Sequence, residues 1–494
     1  MDKTQFPKDF LFGSATASYQ VEGGVNEDGR GESIWDRFCH TPGKIRNGDT
    51  GDVSCDHYHR MEEDVAMMKE LNLQAYRFSI AWPRIVPDGE GAVNPKGLDW
   101  YSRLVDQLLA AGIKPVATMY HWDLPQALED RHGGWRSRKI PDAFGRYADV
   151  IVAHLGDRVK TWVPLNEMPA TVVAGYQAGF HAPGAKEPRK VLLEIQHHLL
   201  LAHGQGVRAV RERGGAGAEV GTAHNARVFV PVYETPEHVE AAAKAFVHYN
   251  SPMLDPMTKG TYPAKWLAAM GADAPQPQAG DMELISRPCD FMGLNVYRGT
   301  FVRSAAVAQV SNLCDRDTGW KPVPRVAGAL SGVENVGIPA SQATPTLAVE
   351  PTLEDGFDAL AFPPGYPSCC AGWVMIIPQC IYWGLKHLHE LYGFRKLYVT
   401  ENGAAMEDQV VGGEILDTGR EQYYREYLRA AARAVAEKIP LKGYFAWSLM
   451  DNFEWSQGYG ERFGIVRVDF DTLKRTPKLS ARFYAECIRA RRVL

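Results

Sequence analysis

No stretch of this 494-residue chain approaches the roughly 18 consecutive apolar residues of a membrane-spanning helix, so a membrane partner is not expected. The opening Met1-Asp2-Lys3-Thr4-Gln5-Phe6-Pro7 lacks the apolar segment of a secretory leader, and a cytoplasmic location is expected. Cysteine is sparse and unpatterned. The 8 residues, at positions 39, 55, 289, 314, 369, 370, 380 and 487, contain no Cys-x-x-Cys spacing, which argues against a zinc or redox motif. In the cytoplasm they are expected to stay reduced. Long runs of one charge are also missing. With 54 basic against 59 acidic side chains, a net charge of −5, the chain shows no basic patch or stripe for nucleic acid. It has no low-complexity tract and no short-period repeat.

What is present is an ordinary globular balance, 45% hydrophobic and 23% charged, which excludes disorder as the main state. The 12 Trp support sugar binding, because apolar sugar faces stack on aromatic rings, although Trp also fills cores. Near-continuous apolar runs at 11–17, 75–82, 114–121, 159–167, 219–226, 290–297, 396–401 and 443–450 read as strands buried on both faces. Helical patterns separate them. Tyr58, Met61, Val65, Met68 and Leu71 recur at three and four residues, as do Leu98, Tyr101, Val105 and Leu108, and a longer helix is expected over 417–436. Strands alternating with helices predict an α/β fold: a single closed barrel of eight parallel strands over 1–494, of the (β/α)8 or TIM type, with long loops at the C-terminal mouth. An open doubly wound sheet is the runner-up, but no Gly-x-Gly-x-x-Gly turn follows the first strand. From about 303 to 367, Ala, Pro, Gly and Ser dominate without period. So long an irregular segment is expected to be a loop over the barrel mouth or a surface excursion.

Two glutamates close such runs. Glu401 lies in Val399-Thr400-Glu401-Asn402-Gly403, and Glu167 ends Trp162-Val163-Pro164-Leu165-Asn166-Glu167. Strand-ending carboxylates far apart in sequence point to one site at a barrel mouth, where catalytic groups come from several strand ends. A carboxylate pair is what glycosidic-bond cleavage needs: one protonates the leaving oxygen, the other attacks or activates water. The remaining strand ends carry Gln20, Arg77, His121 with Trp122, Asn295 with Tyr297, and a segment from Trp447 through Glu454 to Trp455. These groups hydrogen-bond hydroxyls and present flat apolar faces, so a sugar pocket is expected.

In Tyr76-Arg77-Phe78-Ser79-Ile80-Ala81-Trp82-Pro83-Arg84, the Asn166-Glu167 pair, Thr400-Glu401-Asn402-Gly403 and Trp447-Ser448-Leu449-Met450-Asp451-Asn452-Phe453-Glu454-Trp455, the chain resembles glycoside hydrolase family one, the β-glucosidases and relatives. The resemblance runs from Phe10 to about Tyr484 and implies the eight-stranded barrel. It also implies a retaining β-glycosidase with Glu401 as nucleophile and Glu167 as general acid/base. The expected activity is that of a β-glucosidase acting on cellobiose-like and aryl β-glucosides or short oligosaccharides, with no cofactor and no metal. By similarity, Gln20, His121, Asn166, Trp447 and Glu454 hold the glycone sugar, Asn295 and Tyr297 lie beside the nucleophile, and Trp373 stacks on the aglycone. Trp122, Trp455 and Phe463 complete the expected substrate-binding set. Arg77 is expected to favour the ionised form of Glu401, as an adjacent cation does. Two rivals are a 6-phospho-β-glycosidase and a non-catalytic sugar-binding protein. The first replaces the Glu454 position by a small hydroxyl residue and adds a basic one; the second usually lacks one of the two glutamates.

The chain departs from the family pattern beside the acid/base. Pro164 stands where Thr is usual, Met168 where Pro is usual, and Pro169 where Trp is frequent. Pro suits strand edges and bulges, so Pro164 is expected to alter the path of the fourth strand just before Glu167. Trp35, Trp100 and Trp266 read as packing residues. His57, His59, His197 and His198 have no carboxylate or Cys at a recognisable ligand spacing.

Overall fold

Eight parallel strands close into a barrel in the computed structural model, which describes residues 4–306, 347, 349, 351–363 and 365–494. They are β1 (Leu11–Ala15), β2 (Ala75–Ser79), β3 (Lys114–Tyr120), β4 (Thr161–Leu165), β5 (Glu219–His224), β6 (Phe291–Asn295), β7 (Leu397–Asn402) and β8 (Leu441–Trp447). Each pairs in parallel with the next, and β8 pairs with β1. Every residue of β2, β6 and β7 is buried, because side chains point either into the barrel or against the surrounding helices. That is why the sequence shows continuous apolar runs rather than alternation. The patterned helices form at His57–Glu70, Pro95–Ala110 and Thr418–Ala436. In the second of them Trp100, Tyr101, Leu104, Val105 and Leu108 make the buried face.

The apolar runs overshoot the strands. The run 159–167 yields strand only to Leu165, 290–297 only to Asn295, and 443–450 only to Trp447. Asn166, Glu167, Val296 and Ser448 beyond those ends are buried too, so burial alone does not mark where a ladder stops. Three ladders are irregular: β7 against β8, with shifts at Leu397/Tyr398 and Val399/Asn402, and two more beside the predicted catalytic glutamates. Between β4 and β5 the pairs Thr161↔Glu219 and Trp162↔Val220 are followed by the bridge Asn166↔Ala223, leaving one extra residue in β4. Pro164 lies in this bulge, where a missing N–H is tolerated. Its ring packs on the helix Arg189–Arg213 at Gly206, where an added Cβ would sit 2.6 Å from the Pro164 Cβ. A bulge thus lies where Pro164 is expected to disturb the strand. Between β6 and β7 the pairs Val399↔Leu294 and Glu401↔Asn295 leave Thr400 as the extra residue.

The two ends of the 303–367 segment form short elements. Thr300–Ser304 pairs with Phe229–Pro231 and with Phe357–Ala359 in a separate three-stranded sheet. The expected mouth loop falls largely on 307–346, 348, 350 and 364, outside the described residues. Among the described residues no helix is long and apolar enough to cross a membrane.

Candidate active site

Arg77 projects from β2 into the barrel and is 1% exposed. A guanidinium so buried persists only if it is paired and hydrogen-bonded. Its Nε donates to Thr118 Oγ1 on β3 (3.0 Å), Nη2 to Asn166 Oδ1 just past β4 (2.7 Å), and Nη1 to Glu401 Oε1 on β7 (2.5 Å). The other Glu401 oxygen, Oε2, accepts from the Tyr297 hydroxyl at 2.8 Å. Asn295, the last residue of β6, joins the two halves: its Nδ2 donates to Glu167 Oε1 (2.8 Å) and to Asn166 Oδ1 (2.9 Å). Thr400 Oγ1 donates to Asn295 Oδ1 (2.6 Å), which fixes the orientation of that amide. Glu167 adopts φ 45°, ψ 61°, a left-handed conformation that a bulky residue rarely takes, at the start of the short helical turn Met168–Ala170. Coming directly after the β4 bulge, this turn lets Asn166 and Glu167, neighbours in the chain, reach the same site.

The two carboxyls sit in opposed environments. Burial pushes both upward, but the Arg77 charge and hydrogen bonds from Arg77, Tyr297 and Asn295 pull Glu401 back toward its ionised form. Glu167 is buried too and is pushed further by the charge on Glu401, against the weaker pull of Asn295 and Arg77, to about 8. Environments that differ in this way suit Glu167 to the acid role and leave Glu401 the one whose partners favour the charged form. His121 Nε2 accepts from Asn166 Nδ2 at 2.9 Å, and burial with the Arg77 charge holds its ring neutral.

Aromatic walls flank this centre. The His121 ring stacks near Trp447 (5.7 Å) and Trp455 (5.9 Å), and Trp122 lies 4.7 Å from Trp455. Across the mouth, Tyr297 is 6.2 Å from Trp373 and 6.1 Å from Phe463. Gln20 Nε2 donates to Asn452 Oδ1, the Phe453 carbonyl and Glu454 Oε2 at 2.9–3.2 Å, tying the segment after β1 to the one after β8. All fourteen residues expected from the sequence thus gather at one end of the barrel.

Sequence reasoning missed Thr118 and Thr400, whose hydroxyls hold Arg77 and Asn295. It also missed His181, whose ring lies 5.3 Å from Trp122 and 5.2 Å from Trp35. Thr400 stands in the Thr400-Glu401-Asn402-Gly403 stretch without an expected role there, and nothing in the local sequence of Thr118 or His181 signals their place. Trp35 is fully buried and packs at 4.5 Å behind Trp455, so it backs the wall as a packing residue. The four histidines considered for metal binding have other partners. His57 pairs with Asp64 (2.7 Å), His59 with Asp56 and Glu27, His197 with Asp281 and Tyr262, and His198 with the Trp135 carbonyl.

Residues 2–493 match the family model described as glycosyl hydrolase family 1. The chain is 43% identical over 494 residues to beta-glucosidase A of Acetivibrio thermocellus, covering 99% of each chain. It is 41% identical over 493 residues to beta-glucosidase A of Thermotoga maritima, again over 99% of each. Among solved structures, the family 1 b-glucosidase from Thermotoga maritima superposes with a TM-score of 0.82 at 39% identity, covering 100% of both chains. A beta-glucosidase from that organism in complex with glucoimidazole gives a TM-score of 0.82 over 99% of each chain.

Proposed function

Because the chain belongs to glycosyl hydrolase family 1, we propose that its Glu401 attacks the anomeric carbon while its Glu167 protonates the departing oxygen. The protein is a retaining β-glucosidase. The observation that carries the assignment of roles is the opposed environment of the two glutamates. Glu401 lies on Arg77 and Tyr297, which favour its ionised form against burial and hold it for attack, whereas Glu167 keeps its proton to about 8. Once the glycosyl–enzyme bond forms, the Glu401 charge is gone and the chief electrostatic push on Glu167 goes with it. Glu167 then holds its proton less tightly and serves as base to the water that releases the sugar. Asn166, fixed by Arg77, Asn295 and His121, is positioned for the sugar 2-hydroxyl, a contact that strengthens in the oxocarbenium-like transition state. Gln20, Glu454 and Trp447 take the rest of the glycone, and Trp373 and Phe463 the aglycone. Short cello-oligosaccharides and aryl β-glucosides in the cytoplasm are the substrates that fit this reading. A 6-phosphorylated sugar does not fit, since Glu454 offers a carboxylate where a phosphate needs a cation.

Proton NMR of an aryl β-glucoside digest tests this directly. The first glucose released is expected to be the β anomer; α-glucose appearing first would mean inversion and would remove Glu401 as nucleophile. The pH profile of kcat/KM is expected to fall on its alkaline side near 8, as Glu167 loses the proton that the leaving group needs. An alkaline limb unchanged when Glu167 is replaced would assign that titration elsewhere.

A further inference from the structure

Tyr297, whose hydroxyl donates to Glu401 Oε2, lies two residues past the end of β6. The place of its ring therefore depends on what holds its main chain there. Asn402, the residue after Glu401, supplies a fastening. Glu401 meets Arg77 inside the barrel, whereas the Asn402 side chain points outward to Tyr423 on the helix Thr418–Ala436. Its Nδ2 donates at 2.5 Å to the Val296 carbonyl, which belongs to the peptide unit leading into Tyr297. The Val296 N–H donates to the Glu401 carbonyl at 3.0 Å, so this turn of chain is tied to β7 twice. On the other side of Tyr297, its own carbonyl accepts from the Tyr427 hydroxyl at 3.3 Å.

The Asn402 amide is itself held at both polar atoms. Its Nδ2 also donates to the Tyr423 hydroxyl (2.9 Å), and its Oδ1 accepts from the Tyr444 hydroxyl of β8 (2.5 Å). The Val296 carbonyl can only accept, so the nitrogen must face it and the amide cannot turn over. Asn402, Tyr423 and Tyr444 are all buried, and the Tyr427 ring stacks on Tyr423 at 3.8 Å. A buried network with its donors and acceptors matched is rigid. That rigidity is passed to the Val296–Tyr297 peptide.

We propose that Asn402 is a positioning residue for the nucleophile: its buried amide holds the Val296–Tyr297 peptide so that the Tyr297 hydroxyl meets Glu401. This rests on the reading that Glu401 attacks the sugar. Asn402 acts through Tyr297 and not on the reacting atoms. Releasing the peptide lets the hydroxyl drift from Oε2 and weakens a hydrogen bond that favours ionised Glu401. The charged and titratable neighbours of Glu401 are Arg77 from β2, Glu167 past β4, Tyr297 past β6 and Glu454 past β8. Of these, Tyr297 is the one whose main chain Asn402 holds. Without that hold, Glu401 takes up its proton at a higher pH.

A double-mutant cycle on 4-nitrophenyl β-D-glucoside tests this. Asn402→Ala is expected to lower kcat/KM by about tenfold or more, and to move the acid limb of its pH profile upward by about half a pH unit or more. Tyr297→Phe, which removes the donor itself, is expected to do at least as much. In the Tyr297→Phe background, Asn402→Ala should cost less than about threefold further and leave the acid limb in place. Equal losses in the two backgrounds, or an acid limb unmoved by Asn402→Ala, would make the role structural and overturn the proposal. Tyr423→Phe keeps the ring and takes one acceptor from the amide, so it is expected to move the limb in the same direction by less. If Asn402→Ala does not fold, the same cycle run with Tyr423→Phe decides the matter. Should the unmodified protein not cleave the glucoside, or Glu401→Gln keep its turnover, the catalytic reading fails separately. Carbon-13 NMR of labelled glutamate then decides the positioning alone: a Glu401 titration raised by the substitution supports it, and an unchanged one overturns it.

Discussion

Glu401→Gln is expected to lower kcat on aryl β-glucosides by about 10⁴-fold or more, the scale of losing a nucleophile in a concerted constellation. Glutamine keeps the shape of the side chain, but its single oxygen can accept from only one of Arg77 and Tyr297, which donate to different oxygens of Glu401; the main loss still falls on bond formation to the sugar. The same substitution removes the negative charge that helps push Glu167 upward. Glu167 is therefore expected to titrate lower in the variant than in the unmodified protein, below about 8. Carbon-13 NMR of labelled glutamate would follow it. Arg77 at the same time loses its carboxylate and keeps the oxygens of Thr118 and Asn166. Unfolding experiments should show a fall in stability, since removing one partner of a buried pair commonly costs about 3–5 kcal/mol. An inactive variant with Glu167 unmoved would place the nucleophile elsewhere.

Glu167→Gln is expected to divide substrates by leaving group. Cellobiose expels a sugar alkoxide and needs the proton, so its kcat/KM should drop by about 10³-fold or more. For 2,4-dinitrophenyl β-glucoside, whose leaving group departs as a stable anion, the glycosylation step should lose no more than about tenfold. Pre-steady-state release of the nitrophenol would separate that step from the slow hydrolysis that follows without a base. Across a series of aryl glucosides, the dependence of kcat/KM on leaving-group acidity should steepen, and the alkaline limb should disappear. A uniform loss for all leaving groups would mean that Glu167 positions the sugar instead of donating to it.

The barrel was legible because strands buried on both faces leave unbroken apolar runs, and eight of them alternate with amphipathic helices. The catalytic pair was legible because each glutamate ends such a run. Other parts follow from contacts with no local trace. Thr118 matters through Arg77, 41 residues away, and Thr400 through Asn295, 105 residues away. The strand ends were overshot because the residues past them are as buried as the strands. The small sheet of Phe229–Pro231, Thr300–Ser304 and Phe357–Ala359 consists of segments too short to show a period. Pro164 was readable as a disturbance of β4, but its accommodation depends on the register against β5 and on the gap at Gly206.

The placement of Arg77 has a consequence for biosynthesis. Its carboxylate partner lies 324 residues downstream, so at the ribosome about the first four-fifths of the chain emerges with the guanidinium uncompensated. Desolvating that cation before β7 arrives would leave a buried charge without its counter-ion. A nascent chain that ends short of residue 397 is therefore expected to keep β2 wet, and Arg77 gains its counter-ion when the seventh strand delivers the nucleophile, just before β8 closes the barrel on β1. Any attempt to divide the protein into separately produced halves inherits the same rule. The piece carrying β2 stays open at its centre until the piece carrying β7 joins it.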